Sequence, residues 1–243
     1  MSSSPDNVYT VGSASSFDSP SLQVDFSWKK WKALVSEKNG AGQPATPKYQ
    51  IEYNTFKSPS MVFHPIDDKS TVIGSGTLHP ISIHADYEIH GRKGTLKALR
   101  RFVTSYTHLS YNYSDHEDGS PAAMTWTSSS NFKTWDFICL DEKENAVARF
   151  SANAWAVTKV GNIEFMGPKA HDPAAREEIM ITGLTLFSQM LIRATSILSF
   201  FGAIFSRPGP LDKGLADTHA RPSFESKEHV QYQEHSFPKG EKA

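Results

Sequence analysis

The chain has 243 residues, 25 Lys plus Arg against 26 Asp plus Glu, a formal net charge of -1 and 12% aromatic side chains. That length holds one large domain or two small ones with a substantial core, and the balanced charge removes any global electrostatic case for nucleic-acid binding. A single cysteine, Cys139, forms neither an internal disulfide nor a Cys-based zinc site and points to a reducing compartment.

Residues 1–21 are Ser-rich, contain Pro5 and Pro20, and lack a basic stretch followed by an apolar one. They read as a disordered tail without a secretion signal, so a cytoplasmic location is expected and the sequon Asn112-Tyr113-Ser114 reads as chance. Residues 207–243 are polar, carry Pro208, Pro210, Pro222 and Pro238, and read as a second disordered tail. The folded domain is therefore expected over residues 22–206.

The segment 22–46 opens with Phe26, Trp28, Trp31, Leu34 and Val35, interleaved with Lys29, Lys30 and Lys32. That rough helical spacing predicts a short helix ending at Asn39-Gly40. Its two Trp residues either pack on the domain edge, as aromatic stripes usually do, or lie in a membrane interface beside lysines that attract anionic lipid.

From residue 48 to residue 166 the dominant period is two. In residues 81–90, Ile81, Ile83, Ala85, Tyr87 and Ile89 alternate with Ser82, His84, Asp86, Glu88 and His90, as in a half-buried strand. Further strands are predicted over 49–56, 61–63, 71–78, 95–103, 106–113, 122–127, 134–140, 146–151, 154–160 and 162–166. Turn-forming clusters separate them, and strands at this spacing with no helix between them predict an antiparallel sandwich or barrel.

Asp172-Pro173 followed by Ala174, Ala175, Arg176, Glu177 and Glu178 is a helix start, with an acid at the cap and proline at the first helical position. Residues 179–205 then contain one charge, Arg193, and are apolar around the whole circumference. Such a helix belongs either inside a barrel or inside a bilayer. Its core positions are Ile181, Leu184, Phe187, Leu191 and Ile192.

This helix after a long meander, introduced by Phe165-Met166-Gly167-Pro168 and Arg176-Glu177-Glu178-Ile179, resembles the Tubby C-terminal-like superfamily. The phrases His90-Gly91-Arg92, Met124-Thr125-Trp126-Thr127, Trp135-Asp136-Phe137, Ala148-Arg149-Phe150-Ser151-Ala152-Asn153 and Thr182-Gly183-Leu184-Thr185-Leu186 are similar to fungal Tubby-like domain proteins. The resemblance covers roughly residues 26–193. It implies a mainly β fold: a closed antiparallel barrel of about twelve strands around a central hydrophobic C-terminal helix, here over about 173–205. These phrases inform on fold more than on chemistry. The apolar run continues to Phe205, about three turns past the expected end of a barrel helix.

No nucleophile elbow, phosphate loop or nucleotide fingerprint is present, and Cys139 alternates within an apolar strand, so no catalytic residue and no cofactor are expected. His84, Asp86, Glu88 and His90 lie on one strand face about 7 Å apart, too far for one ion to meet more than two, and read as a solvated face rather than a metal site. Five cations without an acid among them, Arg92, Lys93, Lys97, Arg100 and Arg101, form the candidate phosphate- or lipid-binding cluster. The plain alternative is a solvated face paired to acids such as Asp67 and Asp68. Tubby relatives bind phosphoinositides through basic residues on the barrel exterior, so the resemblance implies anionic phospholipid headgroups as partners. Trp28, Trp31, Phe200, Phe201 and Phe205 are the candidate membrane-contact residues. The resulting expectation is a non-enzymatic lipid-interacting or scaffolding module at a membrane surface. The alternatives are a scramblase-like protein embedded through residues 179–205 and a protein-binding module with no lipid role. Nothing in the sequence names a protein partner or an oligomeric state.

Overall fold

The computed structural model describes residues 19–27, 29–38, 45–54, 57–101, 103–130, 135–152, 159–195 and 208–209. Their strands are β1 (Ser21–Ser27), β2 (Lys32–Glu37), β3 (Thr46–Tyr53), β4 (Met61–Pro65), β5 (Gly74–Thr77), β6 (Ala85–Ile89), β7 (Arg92–Ala98), β8 (Ser105–Ser110), β9 (Ala122–Ser130), β10 (Trp135–Leu140), β11 (Ala146–Ala152) and β12 (Lys159–Phe165), and the helix is α1 (Pro173–Thr195). Each strand pairs antiparallel with the next, and β1 closes on β12, so the sheet is a barrel without edges around a central helix.

A hairpin of β1 and β2 replaces the helix expected over residues 22–46. Leu22, Val24 and Phe26 alternate with Gln23 and Asp25, and inward Val35 and Ala33 stand opposite Val24 and Phe26. The residues whose spacing imitated a helix straddle the connection, where Trp31 has a φ of 49°. Period two within each strand therefore prevails over the chance period between them.

Several strand boundaries also differ from expectation; β3 spans Thr46–Tyr53 instead of 49–56, and β5 only Gly74–Thr77 of 71–78. Residues 81–84 precede β6 instead of belonging to it, because side chains from elsewhere take up their backbone groups: Gln189 Nε2 donates to the Ser82 carbonyl at 2.9 Å and Tyr106 Oη to that of Ile83 at 2.9 Å. β7 stops at Ala98, so Arg100 and Arg101 lie in a connection and not on a strand face. β12 runs without a break from Lys159 through Gly161, which pairs with both Val24 and Ala152, so no boundary falls at residue 161; residues 153–158, most of the strand expected over 154–160, lie outside the described residues. Between β6 and β7, His90 and Gly91 have φ values of 47° and 80°, the paired left-handed geometry that a two-residue hairpin turn requires and that glycine adopts without strain.

Phe165 N–H donates to the Pro20 carbonyl at 3.0 Å and Gly209 N–H to that of Ala98 at 3.2 Å, so ordered contacts reach beyond 22–206 at both ends. The described helix ends at Thr195, and residues 196–205 lie outside the described residues.

Asp172 caps α1, accepting from the N–H groups of Ala174 and Ala175 at 2.8 and 3.2 Å. From residue 178 to residue 189 every side chain is buried. Twelve residues at 1.5 Å each give about 18 Å. Seven-residue strands at about 3.3 Å per residue, tilted by about 40°, give the same depth, which is why burial stops there. Ile181, Leu184 and Phe187 are 0%, 1% and 5% exposed, whereas Leu191 and Ile192 stand half-buried where the helix leaves the barrel. Phe187 sets its edge on Trp135, Phe137 and Phe150 with ring centroids 6.0, 6.3 and 5.5 Å away. On the opposite side α1 lies against β5 and β6, where a Cβ on Gly76 would fall 2.5 Å from Thr185 Oγ1.

Candidate functional site

In an antiparallel meander alternate connections share an end. The proximal end, where α1 begins, carries the β2–β3, β4–β5, β6–β7, β8–β9 and β10–β11 connections. The distal end, where α1 stops, carries the β1–β2, β3–β4, β5–β6 and β7–β8 connections.

The two ends differ in charge. Proximal connections hold Asp67 and Asp68, then Asp115, Glu117 and Asp118, then Asp141, Glu142 and Glu144, with Asp172 before α1. Lys38, Lys69, Lys143 and Lys169 offset them only in part, Lys143 and Lys169 both sitting 3.5 Å from Asp115. Distal connections hold Lys29, Lys30, Lys57, Arg100 and Arg101, with no Asp or Glu among their described residues. A chain of net charge -1 is thus strongly polarised along the barrel axis.

This arrangement divides the candidate cluster. Arg92 and Lys93 open β7 at the proximal end, where the Arg92 guanidinium sits 4.2 Å from the centre of the Tyr111 ring. Lys97 faces outward near the distal end of the same strand. Arg100 and Arg101 lie past that end, at most about 26–30 Å along the chain from Arg92 at a strand's rise per residue. Asp68 is taken up locally by the hydroxyls of Ser70 and Thr71 and not by these cations. Lys29, Lys30 and Lys57 share the distal end with Arg100 and Arg101 only through the parity of the meander; Lys29 and Lys30 are visible in the sequence, but nothing there ties them to Arg100.

Trp31 lies in the β1–β2 connection at the distal end. Trp28, Phe200, Phe201 and Phe205 lie outside the described residues. Both flanks of residues 196–208 reach the distal end: α1 ends there, and Gly209 N–H bonds the Ala98 carbonyl. Side chains of α1 brace this end. Gln189 accepts from the His79 N–H at 3.0 Å and donates to the carbonyls of His79 and Ser82, both at 2.9 Å. Arg193 donates to the Arg101 carbonyl at 2.6 Å and to Tyr106 Oη.

The barrel interior holds a second polar cluster. Buried Glu178 faces His108 Nε2 at 3.3 Å and accepts from Asn112 Nδ2 at 2.8 Å, while the Tyr87 ring meets the His108 ring edge-on at 5.9 Å. Cys139 is 0% exposed, and burial, reinforced by the Glu178 carboxylate, pushes its thiol well above the ordinary range. That is the opposite of what a nucleophilic cysteine needs. The cluster fixes the start of the buried helix inside the barrel.

The row His84, Asp86, Glu88 and His90 is dispersed in function. His84 Nδ1 accepts from the Ala98 N–H at 3.0 Å, Asp86 meets His79 at 2.8 Å, and His90 meets Glu177 at 2.8 Å. No group of three potential metal ligands occurs among the described residues. No helix among them is long and apolar enough to cross a membrane.

No protein family, curated protein or solved structure matches this chain.

Proposed function

We propose that this chain is a Tubby-like barrel acting as a non-enzymatic module that binds anionic phospholipid at a membrane surface. The observation that carries the reading is the charge separation between the two ends of a nearly neutral chain: five cations and no described acid in the distal connections, against a strongly acidic proximal end. Each basic side chain close to an anionic leaflet contributes about 1 kcal/mol, so a cluster of this size suffices for reversible association. The resemblance to the Tubby C-terminal-like superfamily, whose members bind phosphoinositides through basic residues on the barrel exterior, supports the same partner class. An arrangement embedded through residues 179–205 would have to withdraw the buried part of α1 from the barrel and leave Glu178, His108 and Asn112 without their partners.

The test is vesicle flotation of the full chain with phosphatidylcholine alone, with added phosphatidylserine, and with added phosphoinositide. Binding to the two anionic mixtures alone, falling as salt rises, is the expected result. Failure to float with either anionic mixture at low salt refutes the reading.

A further inference from the structure

Large apolar side chains that stand in water are few among the described residues: Trp31 at 51% exposed, Val72 at 52%, Ile81 at 65% and Val103 at 50%. Val72 belongs to the β4–β5 connection at the proximal end. Trp31, Ile81 and Val103 come from the β1–β2, β5–β6 and β7–β8 connections and so stand around the rim of the distal end, the end that carries the cations.

Two of these three tips are held in place by α1. Ile81 lies between His79 and Ser82, whose carbonyls the fully buried Gln189 clasps. Val103 lies between Arg101, whose carbonyl Arg193 holds, and Thr104, whose carbonyl accepts from the Ser128 N–H at 3.2 Å. Burying apolar groups already fixed in position costs little further ordering entropy. An indole ring and two branched aliphatic side chains beside basic residues have the chemistry of a membrane interface, where apolar groups enter by about 5–10 Å and cations remain at headgroup level.

We infer that the distal end docks on an anionic bilayer with the barrel axis along the membrane normal: Trp31, Ile81 and Val103 enter the interfacial layer, Lys29, Lys30, Arg100 and Arg101 meet the headgroups, and the acidic proximal end points away. The inference rests on the lipid-binding reading above and adds to it a face and an orientation. The acidic end supplies the orientation, since the leaflet that attracts one end of the molecule repels the other. A second copy on the same face would bring two sets of connection cations together with no acid in the described residues of those connections to offset them. A head-to-tail copy would satisfy charge but would meet only Val72 with its apolar tips.

Val103 and Val72 are almost equally exposed at opposite ends, and Cys139 is buried, so single cysteines can be labelled selectively. Val103→Cys and Val72→Cys, each carrying an environment-sensitive nitrobenzoxadiazole label, are mixed with phosphatidylcholine vesicles containing phosphatidylserine. Emission at position 103 should brighten several-fold and shift to the blue, with position 72 unchanged; Ile81→Cys serves if the Val103 variant does not fold. In parallel, replacing Lys29, Lys30, Arg100 and Arg101 together by Ala should weaken vesicle affinity by on the order of several hundred-fold, at about 1 kcal/mol per cation. The pair Arg92→Ala and Lys93→Ala should change it by less than about 3-fold, being a barrel length away from the bilayer. If the wild type floats while label 103 stays silent or label 72 responds, the orientation is wrong and the lipid-binding reading stands. Absence of binding to anionic vesicles overturns both. Salt-sensitive self-association seen by light scattering, with no vesicle binding, would assign the distal end to a second copy and also overturn both.

Discussion

At Gly76 on β5 the strand backbone leaves no room for a side chain beside the helix, so adding one methyl there tests the position of α1. A Cβ on Gly76 would stand 2.5 Å from Thr185 Oγ1, 3.1 Å from its Cγ2 and 3.3 Å from its Cβ, against 3.4 Å where ordinary contact begins. The shortfall of 0.9 Å at the hydroxyl cannot be relieved by rotating Thr185, because all three of its side-chain atoms are too close. Strand or helix must move, at about 1–3 kcal/mol for overpacking, and about 0.4–1 kcal/mol returns from the stiffer unfolded chain. Gly76→Ala should therefore lose about 1–2 kcal/mol, or about 2–8 °C in Tm for a domain of this size. Thr185→Ala is expected to be close to neutral: it gives up a buried methyl but also a buried hydroxyl that has no hydrogen-bond partner. The double variant should recover most of the loss, with a coupling of about 1–2 kcal/mol read from urea denaturation. Additivity of the two changes to within about 0.5 kcal/mol would mean that α1 does not lie against β5 at this point.

Phe187→Asp would set an unpaired carboxylate among Trp135, Phe137 and Phe150, and the chain should fail to fold; a soluble variant with an unchanged melting transition refutes the central position of the helix. Burial first and the Lys97 charge second hold His84 below its ordinary 6.5, so the unfolded chain takes up its proton before the barrel does. That contribution is complete above pH 6.5 and is lost as pH falls through the folded value, so the stability difference between wild type and His84→Gln should shrink on acidification; a constant difference from pH 7.5 to 5 contradicts it. Cys139 should resist a thiol reagent in the native state and react once in denaturant, with native reactivity at the rate of a free thiol counting against the closed interior.

Most strands were legible in the sequence because a barrel with one wet face imposes period two on each of them. The helix was legible from its Asp172-Pro173 start and from a run apolar on every side, which excludes a surface helix; the resemblance, not the run, favoured the barrel interior over a bilayer. The β1–β2 hairpin was not, because Trp28, Trp31, Leu34 and Val35 fall at helical spacing across its connection, while the alternation in Leu22, Val24 and Phe26 is only three apolar residues long.

By itself, then, the sequence determined most of the inward alternation and that a helix had to leave water, for a barrel interior or a bilayer, since both follow from local periods of hydrophobicity; Ile81, which alternates with the inward row, is 65% exposed. Only the tertiary structure decided which connections share an end. That assignment depends on the parity of the strand count and on where each strand stops, and a single miscounted strand exchanges the ends for every connection after it. Reading one strand over 95–103 kept Lys97, Arg100 and Arg101 on that strand; ending β7 at Ala98 moved Arg100 and Arg101 into the β7–β8 connection, at the same end as Ile81, Trp31 and the lysines of a hairpin some seventy residues earlier. The meander puts them at one mouth of the barrel, because every second connection returns to the same end.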